Sequence, residues 1–219
     1  PDADIDDALP LLAKGGFYHA GQVCVSVQRV FVHEDIVEIF SSKLVSIAKK
    51  LVVGDPTDDK TEVGPLIQET EVERIHSWVE EAKKAGGKVL TGGNKIGKTC
   101  YEPTVILNPP YNTNVSQSEI FGPVINTYSY KSRDEAIKLA NDVPFSFQAA
   151  VFTRDINAAL ASAKNLNAAA VMINDHTAFR VDWMPFAGRK ASGIGIGGIH
   201  HTMMEMTEEK LIIFRSNLI

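Results

Sequence analysis

From Pro123 onward the sequence alternates in a way that constrains the fold more than any bulk property does. VINTYSY at 124–130 is β-branched and aromatic, and a helix signal then starts at Ser132 with Glu135 as its capping partner. QAAVF at 148–152 is extended again, Asp155 opens a second helix, and AAVMIN at 169–174 reads as a strand. Strands separated by helices of about 11 residues need crossover connections, which hairpins cannot supply. The pattern is that of βαβ units with a parallel sheet, so the expected fold class is α/β.

The first half is read from its periodicity. Asp6 or Asp7 can cap a first helix with Pro10 in its opening turn, and that helix runs into GGFYHAGQVC and should break at Gly21. QRVFVH reads as a strand. Ile36, Phe40, Leu44, Ile47 and Leu51 then share one helical face before the chain stops at GDP, 54–56. Thr70 with Glu73 makes a capping box, behind which Val72, Ile75, Val79 and Ala82 form an apolar stripe ended by Gly86 and Gly87. The C-terminal EEKLIIFRSNLI reads as one more strand, completed by another domain or subunit or placed at the edge of its own sheet.

Two glycine motifs invite a nucleotide reading and fail on context. Gly92, Gly97, Lys98 and Thr99 satisfy the phosphate-loop pattern, which needs a helix directly behind it to hold the anion. Pro103 and the run Thr104, Val105, Ile106 follow instead, so the stretch is a turn between strands. Gly193, Gly195 and Gly198 satisfy the dinucleotide pattern, but 21 residues remain after Gly198, too few for the βαβ unit that the pattern requires.

Hydrophobic residues make up 44% of the 219 and charged ones 22%, as in a soluble globular protein. No apolar run approaches the roughly 20 residues of a membrane span. The net charge of −5 argues against a nucleic-acid partner, which demands clustered Lys and Arg. Cys24 and Cys100 cannot build a disulfide framework and no secretory leader is legible, so a reducing cytoplasmic compartment is expected. The chain starts without Met and straight into a helical pattern, as a piece of a longer protein would.

For chemistry, Cys24 sits between a glycine-interrupted helix and a strand, where backbone N–H groups can favour a thiolate and bind an oxyanion. The alternative is a small buried hydrophobe. His19, His33, His76 and His176 are scattered, and the adjacent His200 and His201 point to different faces, so no metal site is expected.

Read together, GQVC at 21–24, EIFGPV at 119–124, PFAGRKASGIG at 185–195 and TEEK at 207–210 resemble, in order and spacing, the catalytic half of the NAD(P)-dependent aldehyde dehydrogenase superfamily. VGDP and GPLI at 64–67 extend the resemblance over nearly the whole chain. It implies a three-layer domain, a mostly parallel twisted sheet flanked by helices, over residues 1–203, followed by an oligomerisation-type strand at 204–219. It also implies roles. Cys24 matches the nucleophile that forms a thiohemiacetal and then a thioester, its own N–H holding part of the oxyanion. Glu119 matches the acid that binds the nicotinamide ribose, and Phe121 the aromatic residue beside the nicotinamide of NAD or NADP. Ser192 and its glycines match a loop packed near the site, and Phe179 an aromatic residue lining the aldehyde pocket.

Arg180 is the residue with which the chain itself suggests a substrate class. Its guanidinium could anchor a carboxylate, phosphonate or sulfonate on a small aldehyde, or pair with Asp182 at the surface. The family's general base, the amide completing the oxyanion hole and the cofactor domain all precede the nucleophile and are not within this sequence, so the 219 residues alone are expected to be inactive. The parent is expected to be a homodimer or homotetramer. Two alternatives stand beside hydrolytic oxidation: transfer of the acyl group to coenzyme A, and a non-catalytic domain that keeps the fold for binding or assembly.

Overall fold

A computed structural model describes residues 1–217. In chain order the elements are α1 (Ile5–Phe17), β1 (Arg29–His33), α2 (Val37–Ala48), α3 (Glu69–Lys84), β2 (Lys88–Thr91), β3 (Lys95–Ile96), β4 (Cys100–Tyr101) and β5 (Thr104–Leu107). They continue with α4 (Asn114–Gln117), β6 (Val124–Tyr130), α5 (Arg133–Asn141), β7 (Phe145–Ser146), β8 (Gln148–Val151), α6 (Ile156–Asn165), β9 (Ala170–Ile173), β10 (Arg189–Lys190) and α7 (Ile199–Glu205).

The main sheet has the order β1-β6-β5-β2, with β1 and β5 parallel to β6 and β2 antiparallel to β5. Successive residues of β6 point to opposite faces. Ile125 lies against α1, close to Gly16, while the neighbouring Asn126 donates its Nδ2–H to the Val115 carbonyl of α4 at 2.8 Å. The sheet is therefore covered on both faces, giving three layers of an α/β fold. α1 and α2 pack on each other and on the sheet. Val72, Ile75, Val79 and Ala82 of α3 are buried to 1% exposure or less, as their spacing predicts. Burying each of the three larger side chains is worth about 1.5–3 kcal/mol, so tertiary packing holds this helix more than its intrinsic propensity does.

The βαβ unit expected from the alternation is β8-α6-β9, whose strands pair in parallel from Gln148 opposite Ala170 to Val151 opposite Ile173. This pair forms its own sheet rather than extending the main one, so among the described residues β1 and β8 each keep a free edge. The phosphate-loop look-alike lies on the β3–β4 hairpin, with Gly97 at φ +60 in its turn.

Several local expectations shift. Asp4, not Asp6 or Asp7, caps α1, accepting from the Asp7 N–H at 3.3 Å, which places Pro10 in the second turn of the helix. α1 stops at Phe17, earlier than Gly21, and α3 begins at Glu69 without a side-chain cap, so Thr70 lies inside the helix. Ser132 and Asp155 cap α5 and α6 as read. Residues 207–217 form no strand among the described residues. Leu211, Ile212, Ile213 and Phe214 stand 61–85% exposed, and Leu218 and Ile219 of the expected strand lie outside the described residues.

Candidate active site

The loop that presents Cys24 is made by breaking a helix. Beyond α1, Tyr18–Gly21 form a single 3-10 turn in which His19 and Ala20 hold φ of 49° and 54°. Left-handed backbone costs residues with a Cβ about 1–2 kcal/mol each, so neighbouring contacts must hold the turn. The Gln22 amide does so from one side. Its Nε2 donates to the His19 and Pro65 carbonyls at 3.1 and 3.2 Å, and its Oε1 accepts from the Ile67 N–H at 2.9 Å. On the other side Gly21 lies directly against the Gly122 carbonyl. Cys24 is exposed, which excludes the buried-hydrophobe reading. Among the described residues its backbone N–H has no hydrogen-bond partner and can donate to a developing oxyanion. The Thr177 hydroxyl donates to the adjoining Val25 carbonyl at 2.7 Å and ties the 174–186 loop to this one.

A second amide fixes the loop carrying Glu119 and Phe121. Gln28 donates from Nε2 to the Ser118 carbonyl at 2.7 Å and accepts the Ile120 N–H on Oε1 at 2.9 Å, while Arg74 donates to the Ile120 carbonyl at 2.7 Å. Phe121 is held at φ 52° with 41% of its surface exposed. An aromatic residue both strained and turned outward contributes little to packing, and such outliers cluster at functional sites. Glu119 is exposed in outline, yet partial loss of hydration pushes its carboxyl above the usual range, with the Arg74 charge pulling it back.

Cys24, Glu119 and Phe121 share the wall of a cavity of about 860 Å³ that continues between the free edges of β1 and β8. A smaller cavity of about 250 Å³ is lined by Tyr18, Cys24, Gln148, Phe179, Arg180 and Phe186 among others. Cys24 belongs to both. The five residues singled out from the sequence thus fall into two sets that meet at the thiol. Arg180 places its guanidinium over the Phe186 ring, 4.3 Å from the centroid, and none of the ion pairs among the described residues includes Asp182. Ser192 accepts the Ser146 N–H at 2.9 Å and anchors the glycine-rich loop against β7. Cys100 is half-buried in β4 and lines neither cavity. No group of three or more potential metal ligands occurs among the described residues.

Sequence reasoning missed Gln22, Gln28, Tyr18, Gln148 and Phe186. Gln22 and Gln28 stand within four residues of Cys24, and a polar residue beside a candidate nucleophile is the signal that could have drawn attention to them.

The chain matches the model of the aldehyde dehydrogenase family over residues 1–212. It is 41% identical over 212 residues to 3-sulfolactaldehyde dehydrogenase of Priestia megaterium, covering 97% of this chain and 44% of that protein. It is 43% identical over 212 residues to lactaldehyde dehydrogenase of Methanocaldococcus jannaschii, covering 97% and 45%. Among solved structures, glyceraldehyde-3-phosphate dehydrogenase GapN of M. jannaschii complexed with NADP aligns at a TM-score of 0.90 and 41% identity, covering 94% of this chain and 44% of that one. Aldehyde dehydrogenase 21 of Physcomitrella patens, in complex with the reaction product succinate, aligns at 0.92 and 40%, covering 96% and 44%. The chain spans about half the length of the relatives it matches. With this match over nearly its full length, the chain belongs to the aldehyde dehydrogenase family.

Proposed function

We propose that this chain carries the nucleophile and the aldehyde pocket of an NAD(P)-dependent dehydrogenase that converts a short, anionic aldehyde to its acid. The observation that carries the reading is the position of Cys24 in the wall of both cavities, with Glu119 and Phe121 on one side and Phe179 and Arg180 on the other. The residues present fit the nicotinamide end of the cofactor: Glu119 offers a carboxylate to ribose hydroxyls, and the outward ring of Phe121 offers an apolar face. When bound, the nicotinamide supplies the hydride acceptor.

The chain's own residues supply the nucleophile and the grip on the aldehyde. The Cys24 sulfur bonds to the carbonyl carbon, and the negative charge that develops on the oxygen meets the unpaired Cys24 N–H. Oxidation leaves a thioester on Cys24, which water then cleaves to release the acid and restore the thiol. Arg180, stacked on Phe186, holds the anionic end of the substrate through charge-assisted hydrogen bonds. Among the relatives, the names 3-sulfolactaldehyde and glyceraldehyde-3-phosphate dehydrogenase and the succinate complex all point to anionic molecules. The lactaldehyde dehydrogenases do not, so the charge is the finer part of the proposal.

On the same reading residues 1–203 are the nucleophile-bearing domain, in a cytoplasmic enzyme. α7 runs to Glu205, inside the 204–219 expected as a strand, so on this reading it is the segment beyond the helix that pairs with a neighbouring subunit of a homodimer or homotetramer, as the exposed Leu211, Ile212, Ile213 and Phe214 support. The test is aldehyde-dependent NAD(P)H formation by the full-length protein that contains this chain, with peptide mapping of the acyl adduct. Loss of both signals in Cys24→Ala is expected. Turnover that survives this substitution would refute the assignment of Cys24.

A further inference from the structure

The stretch from Asn174 to Phe186 carries Phe179 and Arg180 to the small cavity, and its two ends are pinned. Asn174, just past β9, turns the chain at φ 57° and pairs both ways with Thr153, accepting its N–H at 2.9 Å and donating to its carbonyl at 3.0 Å. At the far end Phe186 donates to the Gly197 carbonyl at 3.0 Å and accepts the Gly197 N–H at 2.8 Å. Over residues 175–185, between these ends, one hydrogen bond reaches another part of the fold among the described residues. It runs from the Thr177 hydroxyl to the Val25 carbonyl at 2.7 Å.

Where that bond lands gives it a use. Ser26 donates its N–H to the Val23 carbonyl at 2.9 Å, closing a turn with Cys24 and Val25 at its centre. Val25 is buried, 9% exposed, and its carbonyl has no other donor among the described residues. Without the hydroxyl that carbonyl stays unpaired, so the turn or the loop must move to find it a partner. Valine would fill the space of Thr177 and supply no bond. We infer that Thr177 is a positioning residue: by gripping the turn that presents the nucleophile, it sets Arg180 at a fixed reach from the Cys24 sulfur. The inference rests on the dehydrogenase reading above, in which Cys24 attacks the carbonyl carbon and Arg180 holds the anionic end, and deepens it. Such spacing matters to rate, since about 1 Å of misplacement costs about 100-fold.

The experiment labels Cys24 in the full-length protein with two thiol reagents that differ in one terminal group, 2-sulfonatoethyl and 2-hydroxyethyl methanethiosulfonate. Rates are resolved by peptide mapping and normalised to those of mercaptoethanol. The ratio of the two rates reads the reach of the charge, because a loosened fold speeds or slows both reagents alike. The expected wild-type preference for the sulfonate is at least about 10-fold, the worth of one charge-assisted hydrogen bond. It should fall towards unity in Arg180→Ala, Thr177→Val and Thr177→Ala, and be kept in Thr177→Ser, which retains the hydroxyl. A preference that survives in folded Thr177→Val or Thr177→Ala while Arg180→Ala loses it overturns the inference and leaves the Arg180 reading intact. Loss in Thr177→Ser as well overturns it too, since the hydroxyl is then not what matters. A wild type without the preference overturns the Arg180 anchor and the inference together.

Discussion

Gly21→Ala inserts one methyl group where the nucleophile loop meets the loop of Glu119 and Phe121. Two costs add. Gly21 sits at φ +71°, a region that costs an alanine about 1 kcal/mol. The new Cβ would stand 2.1 Å from the Gly122 oxygen, against the 3.0 Å below which such contacts essentially do not occur. That oxygen already accepts the Val124 N–H at 2.8 Å, and Gln28 and Arg74 hold the same loop through Ile120. The loops must therefore separate by about 1 Å, an overpacking cost of about 1–3 kcal/mol in stability. A shift of that size between nucleophile and substrate costs about 100-fold in rate, equivalent to about 2.7 kcal/mol of barrier. The control is Gly97→Ala, at φ +60° with nothing within 4 Å of the added methyl, which carries the backbone cost alone. Steady-state kcat and thermal melts of both variants in the full-length protein make the comparison. Gly21→Ala retaining kcat within about threefold, with a melting point no lower than that of Gly97→Ala, would refute the close approach of the two loops and the positioning argument built on it.

Three further outcomes are expected. Glu119→Gln should lower cofactor affinity yet raise the melting point at neutral pH. A carboxyl pushed up by burial stabilises the fold fully only below its unfolded value and loses that contribution as it ionises, so the gain should vanish in melts run in acid. Arg180→Ala should raise KM by about 10–100-fold for an anionic aldehyde and by less than about twofold for a neutral one; equal rises in the two series would remove the anchoring role. Tyr128 is buried between Phe31 and Tyr111, bonded to Ser116 at 2.8 Å, and burial pushes its phenol up to about 12. Its contribution is complete below pH 10 and is lost as the pH rises towards 12, about 2–3 kcal/mol in all. Denaturant melts across this range should show a steeper loss in the wild type than in Tyr128→Phe, and identical slopes would count against the burial argument.

What could be read from the sequence divides along a physical line. The apolar stripe of α3 and the face of α2 around Phe40 and Leu44 were legible because burial imposes a period on the chain itself. Caps were legible where one candidate stood alone, as with Ser132 and Asp155. They were misread at α1, where Asp4, Asp6 and Asp7 offer the same chemistry within one turn and the choice falls to Asp4, which also pairs with Arg154 from across the fold. Strand order was not legible beyond the class. Nothing local in QAAVF tells whether β8 continues the main sheet or pairs only with β9, since both use the same alternation of small and apolar residues. Cys24, Glu119, Phe121 and Phe179 were found through resemblance rather than through periodicity.

The residues missed around the thiol have a chemistry in common, and it accounts for why they were missed. Gln22, Gln28 and Gln148 are neutral, so none marks itself by charge, and none is a nucleophile, acid or metal ligand in its own right. Each can both donate and accept, which is what irregular backbone near a cavity requires: a loop in left-handed conformation leaves carbonyls and N–H groups unpaired within a few ångströms of each other, and one amide can satisfy both kinds. A lysine or aspartate in the same position could satisfy only one kind, and would set a fixed charge beside a sulfur that must pass between thiolate and thioester. Gln22 and Gln28 bond to backbone with both donor and acceptor, at Pro65 and Ile67 and at Ser118 and Ile120. The Gln148 oxygen is enclosed and has no hydrogen-bond partner among the described residues. Two of the three amides therefore build the site, by fixing the loops that carry Cys24 on one side and Glu119 and Phe121 on the other.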